Sequence, residues 1–111
     1  MLLRTMSEGD RLVRFRSVEC QLRTAEHGVT VQLAGEVDIS VAEELGTWLL
    51  SASDGQEDLT LDLSKIRFMD STGLHMLIRL KRALGAAMHL GPLSDPVRAL
   101  LKVTGMTKFF D

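Results

Sequence analysis

The strict alternation of Val29, Val31 and Leu33 with Thr30 and Gln32, repeated by Leu59, Leu61 and Leu63 with Thr60 and Asp62, constrains this chain most. A period of two marks strands with one buried and one polar face, because sheets covered on both sides read as continuous apolar runs. Leu74, Leu77, Ile78 and Leu84 then recur at helical spacing, and Ala87–Leu90 forms a further short apolar run. A helix between the strand at 59–63 and the strand at 87–90 requires a parallel crossover, right-handed by the usual rule. The expectation is α/β: a small mixed sheet of four to five strands, with three main helices largely on one face.

The remaining elements follow from local signals. Val18, Cys20 and Leu22 alternate with polar neighbours and predict a strand that pairs with residues 29–33 as a hairpin. Val41, Leu45, Trp48, Leu49 and Ala52 predict the first helix, with Ser40 and Glu43 placed as a capping box. Gly85 suits the exit of the second helix. Asp95 is expected to cap the third helix, with Pro96 at its first position and Gly105 at its end. Lys108, Phe109 and Phe110 fit a terminal strand or a packed apolar tail. Residues 1–14 lack periodicity and predict a flexible tail, leaving 15–111 as the domain.

Composition narrows function mainly by exclusion. A chain of 111 residues holds one core, and a net charge of −2 gives no electrostatic reason for direct nucleic-acid binding. The charge is unevenly spread. Residues 36–62 contain Glu36, Asp38, Glu43, Glu44, Asp54, Glu57, Asp58 and Asp62 but no Lys or Arg. The single cysteine, Cys20, forbids an internal disulfide and suits a reducing compartment. No apolar run reaches the roughly 18 residues of a membrane span. A cytoplasmic location is therefore expected. His27, His75, His89 and Cys20 form no metal-ligand spacing, no cofactor loop is present, and no catalytic constellation appears.

One stretch combines chemistry with position. Asp70, Ser71, Thr72 and Gly73 lie where a strand gives way to the second helix. Residue chemistry leaves two readings open: hydroxyls that cap the helix, or an acceptor for a phosphoryl group. The second draws on two adjacent hydroxyls, on a glycine that suits close approach by another chain, and on Asp38. That aspartate reaches the same end if the strands at 29–33 and 59–63 are neighbours. His75, Arg79 and Arg82 share a helix face and are candidates for a docking surface with this turn.

These residues carry a resemblance. Leu33-Ala34-Gly35-Glu36-Val37-Asp38 and Phe68-Met69-Asp70-Ser71-Thr72-Gly73-Leu74 are similar to the two signature stretches of STAS domains, among them the bacterial anti-sigma factor antagonists. Pro96–Leu101, Thr104-Gly105-Met106 and Phe109 look like that family's ending. The resemblance, over about 18–110, implies a non-enzymatic partner switch in transcription and stress regulation. The unphosphorylated protein would bind an anti-sigma factor serine kinase and free a sigma factor. Phosphorylation at Ser71, with Thr72 as a secondary position, would release it, and a PP2C-type phosphatase would restore it. Asp38, Asp70, Ser71, Thr72, Gly73, His75, Arg79 and Arg82 would form the partner surface of a monomer or weak dimer. His75 stands where the family commonly has a second glycine. The rival is a STAS module with a ligand-sensing, scaffold or lipid-transport-associated role.

Overall fold

The computed structural model describes residues 10–110. Its elements are β1 (Arg11–Phe15), β2 (Val18–Thr24), β3 (Gly28–Val37), α1 (Ala42–Ser53), β4 (Asp58–Met69), α2 (Ser71–Leu84), β5 (Met88–Leu93) and α3 (Asp95–Val103). A short 3₁₀ turn, Thr107–Phe110, follows α3. The strands form one sheet in the order β1-β2-β3-β4-β5. β1 to β3 pair antiparallel, and β3, β4 and β5 pair parallel. The mixed sheet and its three helices match the expected architecture.

Alternation explains the layering. Cys20, Leu22, Val31, Leu33, Leu61 and Leu63 are buried in one core with residues from all three helices. Gln21, Arg23, Thr30, Gln32 and Asp62 line a shallow depression on the opposite, polar face of the sheet. Burial, followed by the Glu19 carboxylate, pushes the Cys20 thiol up to about 12. The group is therefore a neutral core side chain at pH 7.

Several local expectations change. Arg11–Arg14, expected as tail, belongs to β1, which pairs with β2 from Arg11↔Leu22 to Phe15↔Val18; residues 1–9 lie outside the described residues. The strand expected at 59–63 is β4, which runs on past Leu63 to Met69 with register shifts against both neighbours. Ser40 does not cap α1; the cap position is Val41 and carries no side-chain bond. Its hydroxyl donates instead to Asp38, whose carboxylate shapes the preceding turn. The cap of α3 is Ser94, which accepts from the Val97 amide, so Asp95 and Pro96 move inside the first turn. Phe110 packs into the core from a 3₁₀ turn. Gly85 takes a positive φ of 59° at the end of α2, as a helix exit requires.

The parallel pairing positions the site. Val37 lies opposite Met69 at the carboxyl ends of β3 and β4, and the Asp70 amide donates to the Val37 carbonyl at 3.3 Å. The β3–α1 turn and the β4–α2 turn are thereby joined. His27 and His89, paired with Glu57 and Asp58, sit at the other end of these strands.

Candidate functional site

Two turns of one design meet at this end of the sheet. In the first, Asp38 Oδ1 accepts from the Ser40 amide at 2.9 Å and the Ser40 hydroxyl at 2.6 Å. In the second, Asp70 Oδ1 accepts from the Thr72 amide at 3.0 Å and the Thr72 hydroxyl at 2.5 Å. It also accepts from the Gly73 amide at 3.3 Å. Asp70 is thus the N-cap of α2, and its carboxylate does what a capping hydroxyl was expected to do. Thr72 is tied to that carboxylate. Ser71, the first residue of the helix, is exposed, and its hydroxyl makes no hydrogen bond among the described residues.

Charge at the site is mostly negative. The Ser40 hydroxyl, then its amide, hold the Asp38 carboxyl below its ordinary value, and the Arg16 guanidinium contributes in the same direction. Asp38 is therefore anionic at neutral pH. The amino end of α2 supplies a partial positive charge beside it.

Gly73 has a different role from the one expected. It is buried, and a Cβ there would lie 2.5 Å from Met69 Cγ and 3.0 Å from Val37 Cγ1. Close approach at Gly73 is made by the chain's own strands, not by a partner. The glycine lets the first turn of α2 seat against the joined ends of β3 and β4.

Beside the turns, α1 and α2 pack together and leave an open groove of about 270 Å³. Ile39 and Glu43 line one side, and Thr72, His75, Met76 and Arg79 the other. His75 and Arg79 are exposed there, as their shared helix face predicts. Arg82 is also exposed, but lies in the last turn of α2 and is not part of the groove.

The family model described as "Mlab, STAS domain" matches residues 20–111. This chain belongs to the STAS domain family. Over 98 residues it is 26% identical to the anti-sigma-B factor antagonist of Bacillus subtilis, covering 86% of this chain and 90% of the relative. Over 94 residues it is 27% identical to the protein of that name in Staphylococcus aureus, covering 81% and 87%. The fold resembles the crystal structure of an anti-sigma factor antagonist from Mycobacterium paratuberculosis, with a TM-score of 0.76 and 25% identity over 85% of this chain and 83% of that one. It also resembles the unphosphorylated form of the anti-sigma factor antagonist SpoIIAA, with a TM-score of 0.62 and 23% identity over 80% and 83%.

In this STAS domain the sequence motifs brought Asp38, Asp70, Ser71 and Thr72 to one end of the sheet. They did not single out Ile39. It is 79% exposed at the middle of the Asp38–Ser40 turn. The available signal was an isoleucine between two turn-forming polar residues, outside the apolar periodicity of either flanking element.

Proposed function

We propose that this STAS domain is an anti-sigma factor antagonist switched by phosphorylation at Ser71. Unphosphorylated, it binds an anti-sigma factor that is a serine kinase and so frees a sigma factor. The kinase then moves the γ-phosphoryl group of ATP to the Ser71 oxygen, which gives up its proton, and ADP leaves. A PP2C-type phosphatase hydrolyses the phosphoserine and restores binding. On this reading the protein is a non-enzymatic, cytoplasmic regulator, a monomer or weak dimer without direct nucleic-acid contact.

The observation that carries the reading is the division of labour in the Asp70–Thr72 turn. The cap is made by Asp70 with Thr72, so an exposed and unbonded Ser71 hydroxyl remains for modification. Thr72, whose hydroxyl is committed to Asp70, is the poorer acceptor. The names of the relatives in Bacillus and Staphylococcus support the same role. A phosphate adds roughly −1.5 to −2 charges. Beside Asp70 and the anionic Asp38 turn, that added bulk and charge disfavour a partner that packs closely on the bare serine or presents carboxylates there. The helix terminus itself accommodates it.

The test is a pull-down with wild type and Ser71→Asp, followed by kinase assays on the retrieved protein. Wild type is expected to retrieve a serine kinase that phosphorylates it and not Ser71→Ala, while Ser71→Asp retrieves none. Stoichiometric phosphorylation of Ser71→Ala would move the acceptor elsewhere. A second reading is the lipid-transport-associated STAS module, the family model matched being described as "Mlab, STAS domain". It predicts no kinase in the wild-type pull-down.

A further inference from the structure

We infer that the kinase docks in the groove between α1 and α2, and that Ile39 is the apolar anchor of that contact. This rests on the partner-switch reading above and adds to it a residue and a surface chemistry. Ile39 and Ser71 are the middle residues of the two joined Asp-x-Ser/Thr turns, and both point outward: Ile39 is 79% exposed and Ser71 is exposed. The Asp38 bonds to the Ser40 amide and hydroxyl fix the turn that presents Ile39. A β-branched side chain on a fixed turn has few rotamers to lose when a partner covers it. Without a partner it leaves a large aliphatic group in water beside the modification site.

The groove says what the occupant is. It runs from Ile39 over Met76, with Thr72, the neighbour of Ser71, on its edge. Its volume of about 270 Å³ is open and small, below the roughly 300–1,000 Å³ of pockets that enclose small molecules. It fits a protruding side chain better than a free ligand. Glu43 and Arg79 line its two sides, and neither makes an ion pair or side-chain hydrogen bond among the described residues. A complementary segment therefore carries an aliphatic side chain flanked by one acidic and one basic group. A second copy of this chain presents the same chemistry through Ile39, Glu43 and Arg79, so a dimer in size exclusion that Ile39→Ala abolishes would overturn the kinase assignment. An enzyme acting on Ser71 must already place its surface at the groove's edge.

An anchor that does not touch the reacting hydroxyl contributes binding shared by ground and transition states, so its loss raises KM and leaves kcat alone. With the kinase retrieved by wild type, Ile39→Ala is expected to raise KM for Ser71 phosphorylation about tenfold, the scale of one lost interface anchor. Ile39→Val should raise it by no more than about fourfold, the scale of one buried CH₂ group. In the Ser71→Ala background, calorimetry should show the same tenfold loss of affinity for Ile39→Ala. Val103→Ala, at a side chain 86% exposed on α3, should change neither. Circular dichroism confirms that each variant is folded. If Ile39→Ala binds like wild type while Ser71→Asp does not bind, the anchor is wrong and the switch stands. If Ser71→Asp also binds like wild type, the switch falls and the assigned occupant falls with it. A drop in kcat at constant KM would likewise overturn the anchoring role.

Discussion

At the scale of single residues, one local device recurs. An aspartate takes the amide and hydroxyl of the residue two positions on at Asp38–Ser40, Asp62–Ser64 and Asp70–Thr72. The first and third shape the site. Because the Ser40 hydroxyl is the main cause of the lowered Asp38 value, Ser40→Ala is predicted to raise that carboxyl toward 3.8, read by NMR titration. A carboxyl lowered in the folded state stabilises the fold above its unfolded value and loses that contribution as pH falls through the folded value. The stability gap between wild type and Ser40→Ala should therefore be full at neutral pH and close below pH 3.8. A gap that persisted in acid would point to something other than this bond. Gly73 makes a second prediction. Alanine would gain roughly 1 kcal/mol of helix propensity. Its Cβ would however press on Met69 and Val37, and overpacking costs about 1–3 kcal/mol. Gly73→Ala should lower the urea midpoint, by on the order of 1 kcal/mol in stability. A rise would mean that Met69 yields freely.

At the scale of elements, legibility followed periodicity. β2, the first half of β3, the start of β4 and the helical faces alternate cleanly, and their pairing partners were readable. β1 was not, because Arg11, Leu12 and Arg14 are exposed on an edge strand while only Val13 and Phe15 reach the core. A short edge strand bearing charges avoids further pairing, and in doing so loses its alternation. The end of β4 was hidden for another reason. Register shifts at Gln32/Ala34, Gly35/Glu36 and Leu61/Leu63 break the period of two, so Lys65 to Met69 reads as loop although it pairs. The Asp70–Thr72 turn was visible from its composition and from its place before a helical run. The partner of Gly73 was not, since Val37 is 36 positions away in the chain and only the parallel pairing of β3 with β4 brings it there.

At the scale of the whole molecule, the switch and the core are separable. The helices share one core with one face of the sheet, whereas Ser71 projects from a helix start whose cap is already complete. A negative charge at that position meets two opposed effects. The amino end of α2 stabilises it by about 0.3–1 kcal/mol, and repulsion from Asp70 and Asp38 offsets a similar amount at an exposed site. The net change should be within about 0.5 kcal/mol, or roughly 2 °C in thermal midpoint for a domain of this size. Ser71→Asp and phosphorylated wild type are therefore predicted to melt like the unmodified protein, with heteronuclear NMR changes confined to the two joined turns and the first half of α2. A midpoint lowered by 10 °C or more would mean that the modification acts by loosening the fold. An unchanged midpoint together with lost kinase binding would locate the switch at the surface, where a phosphatase can reverse it without a refolding step.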